Sequence, residues 1–282
     1  LFPYTTLFRS NNKINNAFKV FLAPDKDKAA MQLQKRFENY SNILLKQGFL
    51  IKNYKKQLEL TPKGKILSVS QGANPLMLAS MIYDKKLKDL SIEQLCQFAG
   101  LISGSDTISE EDKLISPTNQ RIKSLTQSEA DLEKYIKTNE IYKQKQSAIL
   151  KSVKEAKVPP NDIMVSNSFS GFIAYLFAYL NKKDDDSISN FEKIVHQPTM
   201  SLGNDKAQSE VAKDFNRRLN EGHIYKSLAQ SASILKQIDR ICTFALNNPD
   251  DFYNVDYYKN LQDKTRQALY LMKMPPVNEV EA

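Results

Sequence analysis

Glycine, histidine and cysteine are scarce in this chain of 282 residues, which contains 8 glycines, 2 histidines, 2 cysteines and no tryptophan. So few glycines argue against β-sandwiches and β-barrels, whose tight turns depend on them. No stretch reaches the ~20 uninterrupted apolar residues that a membrane-spanning helix needs. The most apolar segment, residues 169–180, is interrupted by serine, glycine and tyrosine. These shortages favour an all-α protein with no membrane partner.

The residues that usually carry catalysis or bind metal ions are too few and too scattered to form a site. The glycines occur singly, and no Gly-Lys-Ser/Thr sequence forms a phosphate-binding loop. His196 lies two residues before Pro198 and His223 lies near a helix start, which is typical of structural histidines. Cys96 and Cys242 stand far apart in apolar segments, which indicates reduced thiols in an intracellular protein, cytoplasmic or nuclear. We therefore expect no catalytic residue, metal site or cofactor in this chain.

The charge balance is basic, because 40 lysines and arginines outnumber 32 acids and give a formal net charge of +8. Such an excess suits a polyanionic partner such as nucleic acid. It is equally what an AT-rich genome, with its abundant lysine codons, would produce. The net charge alone leaves both interpretations open.

Composition divides the chain into six parts. Residues 1–10, LFPYTTLFRS, match a translated sequencing adapter, so we expect them to be foreign to the protein and its natural start to be missing. The other parts are an incoming long helix (11–48), a hairpin with a first helical subdomain (49–103), a polar connector (104–127), a second helical subdomain (128–273) and a tail (274–282).

Apolar spacing and capping residues predict the elements of this fold. A helix over 25–47 should end at Gly48, and a hairpin with arms at 49–51 and 57–60 should follow. Thr61 and Asn74, each followed by proline, indicate helix starts, and Ser91 with Gln94 indicates a capping box. Further helices are predicted over 62–72, 76–85, 92–103, 131–156, 168–180, 191–195, 205–220, 221–246 and 253–273. The predicted fold is an all-α helical bundle with one small β-hairpin near the N-terminus.

One block of about sixty residues carries a family resemblance. A helix ends in Leu-Lys-Gln-Gly-Phe at 45–49, a hairpin follows, and Lys63 and Gly64 open the next helix. A leucine-rich helix lies over 76–82, and the step Leu-Ser-x-Glu-x-Leu at 90–95 leads into a helix that ends in Ser103. This order resembles the start of the DSHCT domain, the C-terminal helical domain of DExH-box RNA helicases of the superkiller and exosome-cofactor type.

A second segment, EGHIYKSLAQSASILKQIDRI from residue 221, resembles a late helix of the same domain, and FEKIV at 191–195 resembles the step before it. In that family the late helix touches the RNA strand as it leaves the helicase channel. The resemblance therefore implies that Lys226 and Gln230 face the strand. Family members carry several arginines there, whereas here Lys226 keeps the charge and Ala229 and Gln230 fill the next two matching positions. A lysine retains phosphate contact without the planar fork of arginine.

Seven residues are candidates for RNA contact. They are Lys226 and Gln230 on the late helix, Arg217 and Arg218 just upstream, and Tyr54, Lys55 and Lys56 at the hairpin tip. A cation beside an aromatic ring suits the phosphates and bases of single-stranded nucleic acid. A solvent-exposed helix face and a solvated turn have the same composition, so both interpretations stay open.

The resemblance implies an N-terminally truncated fragment of an RNA helicase, whose accessory domain guides RNA through the channel and has no enzymatic activity alone. Its partners would be single-stranded RNA, the RecA-like helicase domains of the same polypeptide, and RNA-degradation machinery. ATP and magnesium would bind only in the missing helicase core.

Two alternatives to the helicase domain remain. The hairpin and the LELTPKG sequence after it also resemble the wing of winged-helix nucleic-acid-binding regulators, which place a preceding helix in the DNA major groove. The third possibility is a helical scaffold that binds no nucleic acid and owes its charge to the genome.

Overall fold

A computed structural model describes residues 26–103, 129–158, 168–183 and 221–272. In these ranges the elements are α1 Lys26–Lys46, β1 Leu50–Lys52, β2 Leu58–Leu60, α2 Pro62–Val69, α3 Pro75–Tyr83, α4 Ile92–Ile102, α5 Glu129–Glu155, α6 Ser168–Lys183, α7 Glu221–Leu246 and α8 Val255–Leu271. The predicted all-α bundle with one small hairpin is confirmed. The adapter-like start, the connector at 104–127 and the helices predicted at 191–195 and 205–220 lie outside the described residues.

Gly48 turns the chain from α1 into the hairpin. Its φ of 74° is left-handed, a conformation that glycine adopts without steric cost. The amide of Gly48 donates to the carbonyl oxygen of Leu45, and the amide of Phe49 donates to that of Leu44, the bond pair of a Schellman motif. β1 then pairs antiparallel with β2, so the helix end and the hairpin predicted from the sequence are both confirmed.

Thr61 begins α2 as predicted. Its Oγ1 accepts a 3.0 Å hydrogen bond from the amide of Gly64, and Pro62 stands at the first helical position. The same hydroxyl donates to the carbonyl oxygen of Gly48 at 2.7 Å. A Cβ on Gly64 would collide with the carbonyl oxygen of Phe49, so the first turn of α2 lies directly against the start of the hairpin.

The helix start predicted at Asn74 is confirmed, because Asn74 is the N-cap residue and Pro75 begins α3. Asn74 has a left-handed φ of 48°, and its side chain makes no capping bond to the first turn of α3. Its Nδ2 donates instead to the carbonyl oxygen of Ile102 at 3.2 Å. The last carbonyls of a helix have no partner within that helix. Asn74 therefore closes the end of α4, a contact that the local sequence pattern could not indicate.

Buried glutamines attach α4 to α5. Ser91 and Gln94 form the predicted capping box at the start of α4. The Nε2 of Gln94 also donates to the Oγ1 of Thr138 at 2.9 Å, and the Nε2 of Gln97 donates to the carbonyl oxygen of Tyr135 at 2.9 Å. These bonds fix the register between the two helices, because each buried amide has to keep its partner.

Small residues let α4, α6 and α7 pack at close range. A Cβ on Gly100 would collide with the main chain of Ser170 and Gly171. The buried hydroxyl of Ser170 donates to that of Ser227 on α7 at 3.0 Å. α4 and α6 therefore meet at the level of the main chain, and a buried side-chain hydrogen bond attaches α7 to them.

α6 lies at the centre of the described structure, as its apolar pattern on all sides predicts. Residues 170–179 are all buried, and α6 contacts α4, α7 and α8. The Tyr257 hydroxyl of α8 donates to the carbonyl oxygen of Ile82 in α3 at 2.8 Å. The buried apolar side chains form a single core. Within the described ranges, no helix combines the length and the apolar character needed to cross a membrane.

Candidate nucleic-acid interface

α7 buries an apolar face and presents a polar face to solvent. The polar face consists of Lys226, Ala229, Gln230, Ser233, Lys236, Gln237 and Arg240, of which the two glutamines are half-buried and the others exposed. At 3.6 residues per turn these seven residues fall within about a third of the helix circumference, over a length of about 21 Å. We call this surface the α7 stripe.

All the charge on the α7 stripe is positive. Lys226, Lys236 and Arg240 are basic, and the other four members are neutral. Ala229 and Ser233 have short side chains, so a ligand can approach the helix closely between the cations. A chain of phosphates could follow this face without meeting an acidic member of the stripe.

Asp239 is the only acidic residue between residues 225 and 246 of α7, and it lies beside the stripe. Its Oδ1 accepts a 3.0 Å hydrogen bond from the Nε of Arg266 on α8. The charge of the carboxylate is therefore balanced by the neighbouring helix. The edge of the stripe gains no net negative charge from Asp239.

The hairpin tip is an ordered turn with exposed cations. Tyr54 is 89% exposed, and the Nζ of Lys55 lies 5.4 Å from the centroid of its ring. The Oδ1 of Asn53 accepts hydrogen bonds of 2.9 Å from the amides of Lys55 and Gln57, which holds the turn in place. Lys56 adopts a left-handed φ of 60°. The three candidate residues of the tip are thus exposed on a defined loop.

The structure places Lys226 and Gln230 on one face of α7, and it places the hairpin tip on a separate element. The hairpin contacts α1 and α2, and α2 in turn contacts α7. Arg240 lies at the contact between α2 and α7. Its Nη1 donates a hydrogen bond of 3.4 Å to the Oε1 of Gln71, in the loop after α2. Arg217 and Arg218, the candidates upstream of α7, lie outside the described residues.

Three residues of the interface were overlooked in the sequence. Lys236 and Arg240 stand ten and fourteen positions after Lys226, spacings that return to the same side of a helix with 3.6 residues per turn. Helical periodicity could therefore have identified them. Tyr225, beside Lys226, is 39% exposed and supplies an aromatic ring at the start of the stripe.

Lys63 and Gly64, which carry part of the family resemblance, have a structural role here. The Nζ of Lys63 lies 4.9 Å from the centroid of the Phe49 ring and 3.3 Å from the Oδ1 of Asp84, which also pairs with Lys145. Burial lowers the pKa of Lys63, and the charge of Asp84 opposes that effect. Lys63 is only 7% exposed, so its ammonium group is not available to an RNA strand.

Neither thiol has the surroundings of a nucleophile. Burial raises the pKa of Cys96 and of Cys242, so both stay protonated at neutral pH. In the part of the chain that the structure describes, no three His, Cys, Asp or Glu side chains are grouped to hold a metal ion.

No family model matches this chain, and no curated protein matches it.

Proposed function

We propose that this chain is the helical accessory domain of a DExH-box RNA helicase and that the α7 stripe contacts single-stranded RNA. The observation that carries the proposal is the stripe itself, where Lys226, Lys236 and Arg240 share one exposed face without an acidic member. Three cations in a line can neutralise phosphates of one strand and release their counterions. The motif resemblance supports the same helix independently.

In this proposal the rest of the machine lies in other domains and proteins. RecA-like domains of the same polypeptide bind ATP and magnesium and move the strand. The α7 stripe guides the strand on its way out, and RNA-degradation machinery receives it. The family resemblance supports these partners, and the geometry of α7 supports the guiding surface.

The side chains of the stripe favour binding that does not depend on RNA sequence. Lys226 and Lys236 act as point charges, because an ammonium group lacks the planar fork with which arginine binds two acceptors at once. Gln230 adds an amide group that can reach sugar hydroxyls. Contacts of this kind position a strand and carry little sequence information.

The test compares wild type with the variant Lys226→Ala, Lys236→Ala, Arg240→Ala for binding to a fluorescent oligouridylate over a range of salt concentrations. Each lost phosphate contact on a single strand lowers the slope of log affinity against log salt by about 0.7, so the triple variant should lose a slope of about 2. In an intact parent enzyme, the same variant should lower the RNA-stimulated ATPase rate.

A matched control removes the same number of charges elsewhere. Lys137, Lys143 and Lys151 are exposed on α5, which packs mainly against α4 and not against α7. Their replacement by alanine should leave most of the salt slope in place. Equal losses of salt slope in both triple variants would show that binding depends on the overall positive charge and not on the α7 stripe. If wild type does not bind oligouridylate in low salt, the proposal is overturned. The remaining interpretation is then a helical scaffold that binds no nucleic acid.

The hairpin favours a second candidate, a winged-helix nucleic-acid-binding regulator. Its ordered tip exposes Tyr54, Lys55 and Lys56, and a helix precedes it. A wing would act with that helix on duplex DNA. Replacing the three tip residues by alanine should then weaken the binding of duplex DNA. The loss of oligouridylate affinity in the α7 triple variant should be the same with and without these tip substitutions. If wild type binds oligouridylate and not duplex DNA, the wing is excluded.

A further inference from the structure

We propose that a pocket beside the α7 stripe binds one unstacked base of the RNA strand, an inference that rests on the proposed function. The pocket has a volume of about 450 Å³ and opens between the start of α4 and the ends of α6 and α8. Its size lies within the ~300–1,000 Å³ that is usual for ligand sites. It is lined by Ile92, Lys182, Arg266, Gln267, Tyr270 and Leu271.

Arg266 connects the pocket to the stripe. Its Nε donates to Asp239 on α7, beside the stripe, while its side chain also lines the pocket. A guanidinium group has five N–H donors. Within the described ranges, the bond to Asp239 is the one hydrogen bond that Arg266 makes, so four donors can meet a strand that passes from the stripe to the pocket.

The pocket offers a stacking surface. Tyr270 is 70% exposed on its wall, and Ile92 and Leu271 provide half-buried apolar surface. Stacking of a base on an aromatic side chain contributes strongly to the binding of single strands and tolerates every base, because each has a π face. A base in the pocket would remove the ring and the apolar surface from water together.

The charges around the pocket favour a base over a phosphate. Lys182 pairs with Glu93 at 2.6 Å and Arg266 pairs with Asp239 at 3.0 Å, so each cation has a carboxylate next to it. The pocket is therefore close to neutral, in contrast to the positive stripe. Gln267 is exposed and adds an amide that can donate to or accept from the edge of a base.

The test uses Tyr270→Ala, with Tyr270→Phe as the conservative variant. The alanine variant should bind oligouridylate about tenfold more weakly, which is the loss of one stacked base, with an unchanged salt slope because the ring carries no charge. The phenylalanine variant should bind like wild type. Tyr253→Ala is the matched control, since Tyr253 is 89% exposed in the loop before α8 and should have no effect.

Two further measurements keep the result unambiguous. RNA that contains 2-aminopurine should lose fluorescence on binding to wild type and keep it with Tyr270→Ala. Gln267→Leu removes the amide of an exposed residue, so it should weaken binding without affecting folding. If both pocket variants bind like wild type while the α7 triple variant does not, the pocket is overturned and the proposed function stands. If wild type binds no RNA, both are overturned.

Discussion

The Nε of Arg266 donates a hydrogen bond of 3.0 Å to the Oδ1 of Asp239, across the boundary between α8 and α7. Both side chains are partly exposed, and ion pairs of this kind contribute roughly 0.2–1 kcal/mol to stability. The larger consequence is electrostatic, because the pair balances Asp239, the only acid within residues 225–246 of α7. Arg266 is not part of the α7 stripe, but its ion pair with Asp239 keeps the electrostatic potential of the stripe positive.

This relationship gives a double-mutant prediction. Arg266→Gln leaves Asp239 without its cation, so binding of oligouridylate should weaken by about fivefold, the order expected for one unfavourable charge beside phosphates. Asp239→Asn should strengthen binding, and the double variant should recover the part of the loss that Asp239 causes. Affinity measured by fluorescence anisotropy tests this, with unfolding curves as the control for stability. Equal affinity of Arg266→Gln and wild type would contradict the prediction.

The cluster of Lys63, Asp84 and Lys145 leads to a prediction on stability. Asp84→Asn removes the carboxylate shared by two lysines whose side chains are 9% and 17% exposed. Two poorly solvated cations then lack a partner, which should cost about 2–3 kcal/mol. Urea unfolding measures this loss. The control is Asp89→Asn, an exposed acid, which should change stability by less than about 0.5 kcal/mol.

The crossing of α4 and α6 predicts a strong effect of a small substitution. Gly100→Ala adds a methyl group that would collide with the main chain of Ser170, and backbone cannot move aside as a side chain can. We expect a loss of about 1–3 kcal/mol in the free energy of unfolding. Gly48→Asn is the control, since Gly48 has open space around it and asparagine tolerates its left-handed φ. Comparable losses for both variants would show that the crossing is not tightly packed.

Buried tyrosines predict a loss of stability in alkali. Burial raises the pKa of Tyr257, and it raises the pKa of Tyr135 to about 12. A group with a raised folded pKa stabilises the fold below its unfolded pKa of 10.0 and loses that contribution as the pH rises, because only the unfolded chain releases the proton. The free energy of unfolding should therefore fall from about pH 10 to pH 12.

Tyr257→Phe separates this effect from others. At neutral pH the variant should lose about 1 kcal/mol, because the hydrogen bond to the carbonyl oxygen of Ile82 is gone. Its stability should then fall less steeply in alkali than that of wild type. Tyr253→Phe is the control, since the side chain of Tyr253 is 89% exposed. Parallel curves for wild type and Tyr257→Phe would exclude Tyr257 as a source of the alkaline loss.

Local chemistry made much of the fold predictable. The capping bonds of Thr61, Ser91 and Gly48 each join residues three positions apart, so the sequence shows both the residue and its capping partner. The side chain of Asn74 follows the same pattern in the sequence but bonds to Ile102, which comes from a different helix. Such a partner depends on how helices pack, and helical periodicity carries no information about that.

The candidate site was predictable only in part, for the same reason. The positions of Lys226 and Gln230 on the exposed face of α7 follow from periodicity, and Lys236 and Arg240 follow from the same rule once it is extended. The pairing of Asp239 with Arg266 joins residues on two helices and is invisible in the sequence. The pocket has the same origin, because its walls come from α4, α6 and α8.

The contact between Gly100 and the main chain of Ser170 has a mechanical consequence. A crossing made of main-chain atoms has no rotamers through which it could absorb a displacement. Ser227 extends this rigid junction to α7 through its bond to Ser170. If the proposed function holds, a displacement of α7 would reach α4 and α6 through the hydrogen bond between Ser227 and Ser170.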